Sequence, residues 1–184
     1  MNSPDRGPGD PGPEDRDSGS RDRAGRDRDA AGRPRNARPR DELGRPLPPG
    51  SPGAPRIPDD LALPPAEALA LAQRLLDAGR PFHAHEVLEA SWKSAPPAER
   101  ELWRGLAQLA VGLTHAQRGN ARGAVALLSR GSQAVGGYAG SASHGIDPAG
   151  LAEAAGRLAT RIGRDGLAAI EPADLRLSLR GDAG

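Results

Sequence analysis

Apolar residues recur every three or four positions in five segments of this 184-residue chain, the spacing expected for one buried face of an α-helix. Prolines, glycines and capping residues separate these segments. The first segment begins at Pro64 and ends at Gly79, and the second begins at Pro81 and ends near residue 95. The short connection between them predicts an antiparallel helical hairpin.

The remaining three segments lie between residues 97 and 166. The third begins near Pro97, runs to Gly119 and carries a stripe of leucines, namely Leu102, Leu106, Leu109 and Leu113. Asn120 is placed to cap the fourth, and Asp147-Pro148 is a cap and first-turn proline for the fifth. The residues after Gly119 repeat the pattern of small and apolar residues that follows Gly79, which predicts a second hairpin. We therefore expect an all-α fold, a compact bundle of about five helices built on two antiparallel helical hairpins.

The first 60 residues have a different composition from the helical segments. They contain 12 of the 19 prolines, 9 of the 25 glycines, 12 arginines and 12 acidic residues, with few large apolar side chains. Such a segment buries too little apolar surface to offset the entropy lost when a backbone is ordered. We expect a long disordered tail over residues 1–60 and a helical domain over residues 61–184.

Charge and cysteine content exclude several classes of protein. Positive and negative residues alternate in the tail, as in RDRAGRDRD, and the net charge is +1, so we expect no nucleic acid partner. Polar residues follow Met1, and no run of about 18 apolar residues occurs, so neither a secretory leader nor membrane association is predicted. Because the sequence has no cysteine, it carries no disulfide framework, and we expect a cytoplasmic bacterial protein.

The candidate chemistry is concentrated in residues 82–92, which read FHAHEVLEASW. On a regular helix His85 and Glu89 are four residues apart and are able to contact each other, whereas Glu86 is turned about 100° away from His85. His83 points away from His85 and is left out of the candidate site. An imidazole beside two carboxylates is able to bind a metal, to move a proton or to hold helices together.

The two tryptophans are the largest apolar side chains of the predicted domain. We expect both Trp92 and Trp103 to anchor the core. Trp92 lies in the apolar arc of the second helix, which His85 and Glu89 border.

The third helix adds a polar row opposite its leucine stripe. Arg104, Gln108 and His115 share this row, and we expect them to pair across the hairpin with Glu86 and Glu89. One interpretation is a buried network that fixes the register of two helices. The other is a shallow pocket in which a glutamate acts as a base, although no serine, cysteine or threonine is placed as a nucleophile.

Metal binding has little support in the sequence. Metal sites in helical bundles draw ligands from several helices, often as Glu-x-x-His, whereas the local order here is His-Glu-x-x-Glu. We predict no metal and no cofactor.

Several motifs occur in an order that resembles the bacterial and archaeal family called domain of unknown function 309. They are Phe82-x-x-His85-Glu86-x-x-Glu89-x-x-Trp92, Gly105-Leu106-x-Gln108-x-Ala110, His115 and Gly119-Asn120-x-x-Gly123-Ala124. The resemblance spans about residues 67–135 and implies a small all-helical domain. It also implies that the signature positions are His85, Glu86, Glu89, Trp92, Gln108 and His115.

Two functions from different classes follow. The first is a non-catalytic module that binds an unknown protein or small-molecule ligand through the groove between the hairpins. The alternative is a metal-assisted or acid/base enzyme, similar to a hydrolase, that uses His85, Glu86, Glu89 and His115. The sequence leaves open whether the chain is an enzyme, and it identifies no catalytic residue.

Overall fold

The computed structural model of the protein describes residues 38–55, 57–58, 61–141 and 144–181. The chain divides into two units, Met1–Arg38 and Pro39–Gly184, and the account that follows concerns the second. Of the predicted disordered tail, residues 1–37 lie outside the described residues. The division at residue 60 stays a prediction, but residues 39–55 are described and contact the helices.

The described residues contain five α-helices, which confirms the predicted all-α fold. They are α1 (Pro65–Asp77), α2 (Pro81–Ser94), α3 (Arg100–Gln117), α4 (Ala121–Gly136) and α5 (Pro148–Asp165), and two short 3-10 helices follow at Leu167–Ala169 and Pro172–Leu175. None of the helices in these ranges has the length and apolar character needed to cross a bilayer.

Most helix boundaries follow the predicted signals, but α3 begins at Arg100 rather than near Pro97. The side chain of Asn120 accepts a hydrogen bond from the Gly123 amide, and that of Asp147 accepts one from the Gly150 amide, so both predicted caps are confirmed. Gly79 and Gly119 have positive φ angles of 69° and 77°, a conformation that glycine adopts without strain. Each glycine therefore allows a sharp turn of the chain between one helix and the next.

Each helix packs on its neighbours in the sequence, and the most extensive contact joins α3 and α4. The leucine stripe of α3 is fully buried, together with Trp103. Glycines let α3 and α4 approach closely, because a Cβ atom at Gly131 would lie 2.9 Å from the carbonyl oxygen of Gly105. Since α3 lies between α2 and α4, its residues set the geometry of the candidate site.

The C-terminal segment packs in extended form after the 3-10 helices. Leu177 and Leu179 are buried in the core. The Gln73 side chain of α1 donates to the Leu177 carbonyl at 3.3 Å and accepts from the Leu179 amide at 2.7 Å. The Gln73 side chain thus fixes the backbone of the C-terminal segment against α1.

Candidate functional site

The polar seam is the set of seven residues that the sequence identifies as a candidate site: His85, Glu86, Glu89, Trp92, Arg104, Gln108 and His115. On α2, Nε2 of His85 lies 3.7 Å from Oε2 of Glu89, and Nζ of Lys93 lies 3.1 Å from Oε1 of the same carboxylate. The side chains of His85 and Glu89 are 24% and 36% exposed. The i, i+4 contact is therefore present at the surface rather than in the core.

Burial determines the protonation of His85. Removal from water lowers the pKa of its imidazole below 6.5, the nearby carboxylate of Glu89 acts in the opposite direction, and Lys93 lowers it further. The ring is therefore neutral at pH 7. Its Nδ1 atom is buried and has no hydrogen-bond partner among the described residues.

The two tryptophans differ in burial. Trp103 is 1% exposed and belongs to the core, as expected. Trp92 packs against the core but is only partly buried. Since α2 also carries His85 and Glu89, an aromatic side chain is available on the helix that presents the polar groups of the seam.

The residues of the seam on α3 have partners that differ from those predicted. Arg104 is exposed and donates to Glu101 at 3.1 Å, one turn earlier on the same helix. Nδ1 of His115 lies 2.8 Å from the side-chain nitrogen Nδ2 of Asn120. Gln108 is half-buried. The predicted pairing of α3 with the carboxylates of α2 is thus replaced, for Arg104 and His115, by shorter-range contacts.

The chemistry available at the seam is limited. No group of three His, Asp or Glu side chains within the described ranges is close enough to hold a metal ion. The hydroxyl of Ser91 donates to the carbonyl of Val87 at 3.2 Å, which places it in the helix rather than beside His85 as a nucleophile. The seam thus offers a neutral imidazole, carboxylates and an aromatic edge.

A second site lies at the start of α2, where the sequence interpretation found nothing. Residues 39–55, hereafter the strap, cross the first turn of α2 and the residue that follows α3. The guanidinium of Arg118 donates from Nε to the carbonyl oxygen of Leu43 at 2.8 Å, and its Nη2 donates to the same oxygen. Gly44 packs directly on the ring of Phe82.

Phe82 is the centre of this second site, which we call the Phe82 site. Guanidinium carbons of Arg40 and Arg118 lie 5.6 and 5.8 Å from the centre of its ring, distances at which a cation is attracted to an aromatic face. The adjacent His83 is 2% exposed. The FHAH sequence of α2 therefore has two parts, of which Phe82 and His83 meet the strap and His85 belongs to the seam.

His83 is held neutral at this site. Burial lowers the pKa of its imidazole, and the neighbouring guanidinium of Arg80 lowers it further, while the backbone of Pro55 and the carboxylate of Glu42 act in the opposite direction. The Nε2 atom of His83 lies 3.3 Å from Nη2 of Arg80. Pro55 and Glu42, the two groups that raise the pKa of His83, both belong to the strap.

We expect the free energy of unfolding to fall as the pH is lowered from 7 to 5. The folded-state pKa values of His83 and His85 lie below their usual 6.5, so the unfolded chain takes up protons first, and the loss grows from about pH 6.5 down to the folded-state pKa. Urea denaturation at several pH values measures this. The double variant His83→Gln/His85→Gln should show a weaker pH dependence, and an unchanged dependence would contradict the assignment.

A separate groove of about 730 Å³ lies between α4 and α5, away from the seam. Its basic side chains include Arg157 and Arg161, which are paired with Glu153 and Asp174. These ion pairs balance the charge, so the groove carries no positive surplus from them.

Comparisons with known proteins agree with the resemblance drawn from the motifs. Residues 69–127 match the model of a family described as Domain of unknown function (DUF309). Uncharacterized protein YpuF of Bacillus subtilis (strain 168) is 47% identical over 49 residues, which cover 26% of this chain and 28% of that protein. No solved structure matches the chain. The matched segment contains the polar seam and Phe82, but not the strap.

Proposed function

We propose that this chain, whose residues 69–127 match the DUF309 family, is a non-catalytic binding module and that its polar seam holds a partner polypeptide. One observation carries the proposal. Within the described residues, Glu89 pairs along α2 with His85 and Lys93, and none of its pairs reaches α3. Polar groups that fix the register of two helices would have to pair across them.

The burial of the seam also favours a binding surface. His85 and Glu89 are partly exposed, and Trp92 is partly buried. A partly buried aromatic side chain beside hydrogen-bonding groups is the composition of an interface centre, where the aromatic group supplies apolar area and the polar groups supply orientation.

The side-chain hydroxyls near the seam favour binding over acid/base hydrolysis. Ser91 on α2 and Thr114 on α3 both donate to the carbonyl four residues earlier in their own helices. A hydroxyl nucleophile would instead need hydrogen-bond contact with a base. His85 and Glu89 therefore serve better as hydrogen-bonding groups for a ligand than as the base of a nucleophilic site.

Site-specific photocrosslinking in the native host tests the proposal. A photoreactive phenylalanine analogue at position 93 is expected to give a discrete crosslinked product with one polypeptide, because Lys93 lies beside Glu89 at the edge of the seam and is not one of its residues. The product should be lost when His85→Ala is added, since the imidazole supplies part of the binding surface. Immunoblotting of the full chain after irradiation measures both results.

Position 157 on α5 is the matched control for this experiment. The Arg157 side chain is 64% exposed and that of Lys93 is 66% exposed, so random collisions should label the two positions about equally. The same product from both positions would contradict a site at the seam. Equal amounts of the crosslinked product with and without the His85→Ala substitution would also contradict a site at the seam.

The full sequence has no cysteine, and the described helices include none suited to crossing a membrane. On this basis we also propose that the module acts in the reducing cytoplasm.

A further inference from the structure

We propose that the Phe82 site is a peptide-binding site for turn segments that contain glycine, and that the strap occupies it in cis. This inference is independent of the function proposed for the polar seam. It assigns a ligand class to the surface formed by the first turn of α2 and by Arg118.

The first argument is that the site recognises backbone. Both Nε and Nη2 of Arg118 donate to the carbonyl oxygen of Leu43. Leu43 lies in a turn between the paired residues Arg40 and Pro46. Any residue at this place in a turn presents such an oxygen, so the contact sets the position of a ligand without reading its side chain. Leu43 itself is only half-buried.

The second argument is that the site selects glycine at one position. Gly44 has a φ angle of 73°, and a Cβ atom there would overlap the ring of Phe82. Both the backbone conformation and the absence of a side chain are therefore required. Gly44 is also the one residue of the strap that is buried.

The third argument is that the strap behaves as a ligand rather than as part of the core. Its own backbone organises it, since the Gly44 amide donates to Asp41 at 2.9 Å, the Leu47 amide to Pro39 at 2.7 Å and the Ala54 amide to Arg40 at 2.8 Å. None of its side chains belongs to the buried hydrophobic core. The helices therefore keep their apolar contacts when the strap leaves.

The aromatic face of Phe82 favours an arginine in the ligand. The guanidinium of Arg40 lies over the ring of Phe82 and donates from Nη1 to the carbonyl of Gly44 at 2.6 Å. The strap thus brings one of the two cations that flank the ring, and Arg118 brings the other. A ligand of the same class has an arginine four residues before the glycine.

Attachment of the strap to the domain controls access to the site. Only nine residues, 56–64, separate the strap from α1. A short connection gives an effective concentration on the order of millimolar. A free peptide of the same class therefore competes poorly until the strap is released.

The test is the binding of a fluorescent peptide, corresponding to residues 38–55, to the full chain carrying Gly44→Ala. This substitution prevents the strap from docking and leaves Phe82 and Arg118 unchanged. The peptide is expected to bind the variant at least about tenfold more tightly than it binds the wild-type chain, because the cis competitor is removed. Fluorescence anisotropy measures the dissociation constant.

Gly50→Ala is the matched control. Gly50 also has a positive φ angle, 82°, but nothing lies within 4 Å of the Cβ position there. Its chain should bind the peptide as weakly as the wild type does. In the Gly44→Ala chain, adding Arg118→Ala should abolish binding, and a peptide that itself carries Gly44→Ala should not bind. Equal affinity of the Gly44→Ala and wild-type chains would overturn the proposal.

Amide hydrogen exchange of the wild-type chain provides a second measurement that needs no substitution. The amides of Gly44, Leu47 and Ala54 are expected to exchange through a local opening that leaves the amides of α3 protected. Exchange of these strap amides only through global unfolding would make the strap an integral part of the domain and would also overturn the proposal.

Discussion

Replacement of Trp103 by alanine is expected to lower the free energy of unfolding by about 3–5 kcal/mol, the usual cost of truncating a large buried aromatic side chain. Trp103 is 1% exposed, so its removal leaves a cavity that the surrounding leucines fill only in part. Urea denaturation followed by far-ultraviolet circular dichroism measures the loss, since this signal does not depend on tryptophan fluorescence.

A polar contact adds to the cost. The indole Nε1 of Trp103 donates to Oε2 of Glu99 at 3.2 Å, and the same oxygen lies 2.9 Å from Nε2 of His144 in the loop before α5. The hydrogen bond with His144, and to a smaller extent that from Trp103, holds the pKa of Glu99 below its usual value. Trp103→Ala removes one of them and the ring contact to His144, so we expect the loop to loosen as well.

Trp92→Ala is the matched control for this prediction. Trp92 is only partly buried, so the loss should be smaller, about 1–2 kcal/mol for a partial burial of apolar area. If the two alanine variants were equally unstable, the division between a core tryptophan and a seam tryptophan would be wrong.

The helices were predictable because their signals are local. Each boundary signal is read from neighbouring residues alone. These signals are proline at the first turn of α1, α2 and α5, the caps Asn120 and Asp147, and the glycines after α1 and α3. The pattern repeated after Gly79 and Gly119 was predictable for the same reason. Ala84 and Ala124, each five residues after one of these glycines, are both fully buried.

The strap was not predictable from composition. The segment that contains it has few large apolar side chains, and this pattern is typical of disorder. Its attachment depends on one carbonyl oxygen of Leu43 and on the missing side chain of Gly44. Neither feature has a periodicity, so hydrophobic patterning does not detect them.

The partners of the seam were only partly predictable. The contact of His85 with Glu89 follows from helical spacing. Arg104 was predicted to pair with a carboxylate of α2 but pairs with Glu101, three residues earlier on its own helix. An exposed arginine loses less conformational entropy in this local contact than in one that reaches another helix. The partner of His115 depends on the turn at Gly119, which brings Asn120 back to the end of α3.

The family match includes the Phe82 site but not the strap that occupies it. The family match ends at residue 127, within α4, and it begins at residue 69, after the strap. Phe82 and Arg118 therefore lie inside the matched segment, while the residues that occupy their site lie outside it. The surface and its occupant are separate parts of the sequence, which fits a site that accepts a segment of another chain.

Gly131→Ala is expected to lower the free energy of unfolding, although alanine favours helices more than glycine does. A Cβ atom at position 131 would lie 2.6 Å from Cδ2 of Leu109 and 2.9 Å from the carbonyl oxygen of Gly105. The backbone oxygen cannot turn aside as a side chain does, so α3 and α4 must separate. Overpacking of this kind costs about 1–3 kcal/mol, which exceeds the gain of about 1 kcal/mol in helix propensity.

Gly156→Ala on α5 separates packing from propensity. A Cβ atom there would lie 3.4 Å from Oγ of Ser132, an ordinary contact distance, so we expect stability to rise by about 0.5–1 kcal/mol. Thermal and urea denaturation of both variants give the two signs. If Gly131→Ala also raised stability, the close approach of α3 and α4 would be wrong.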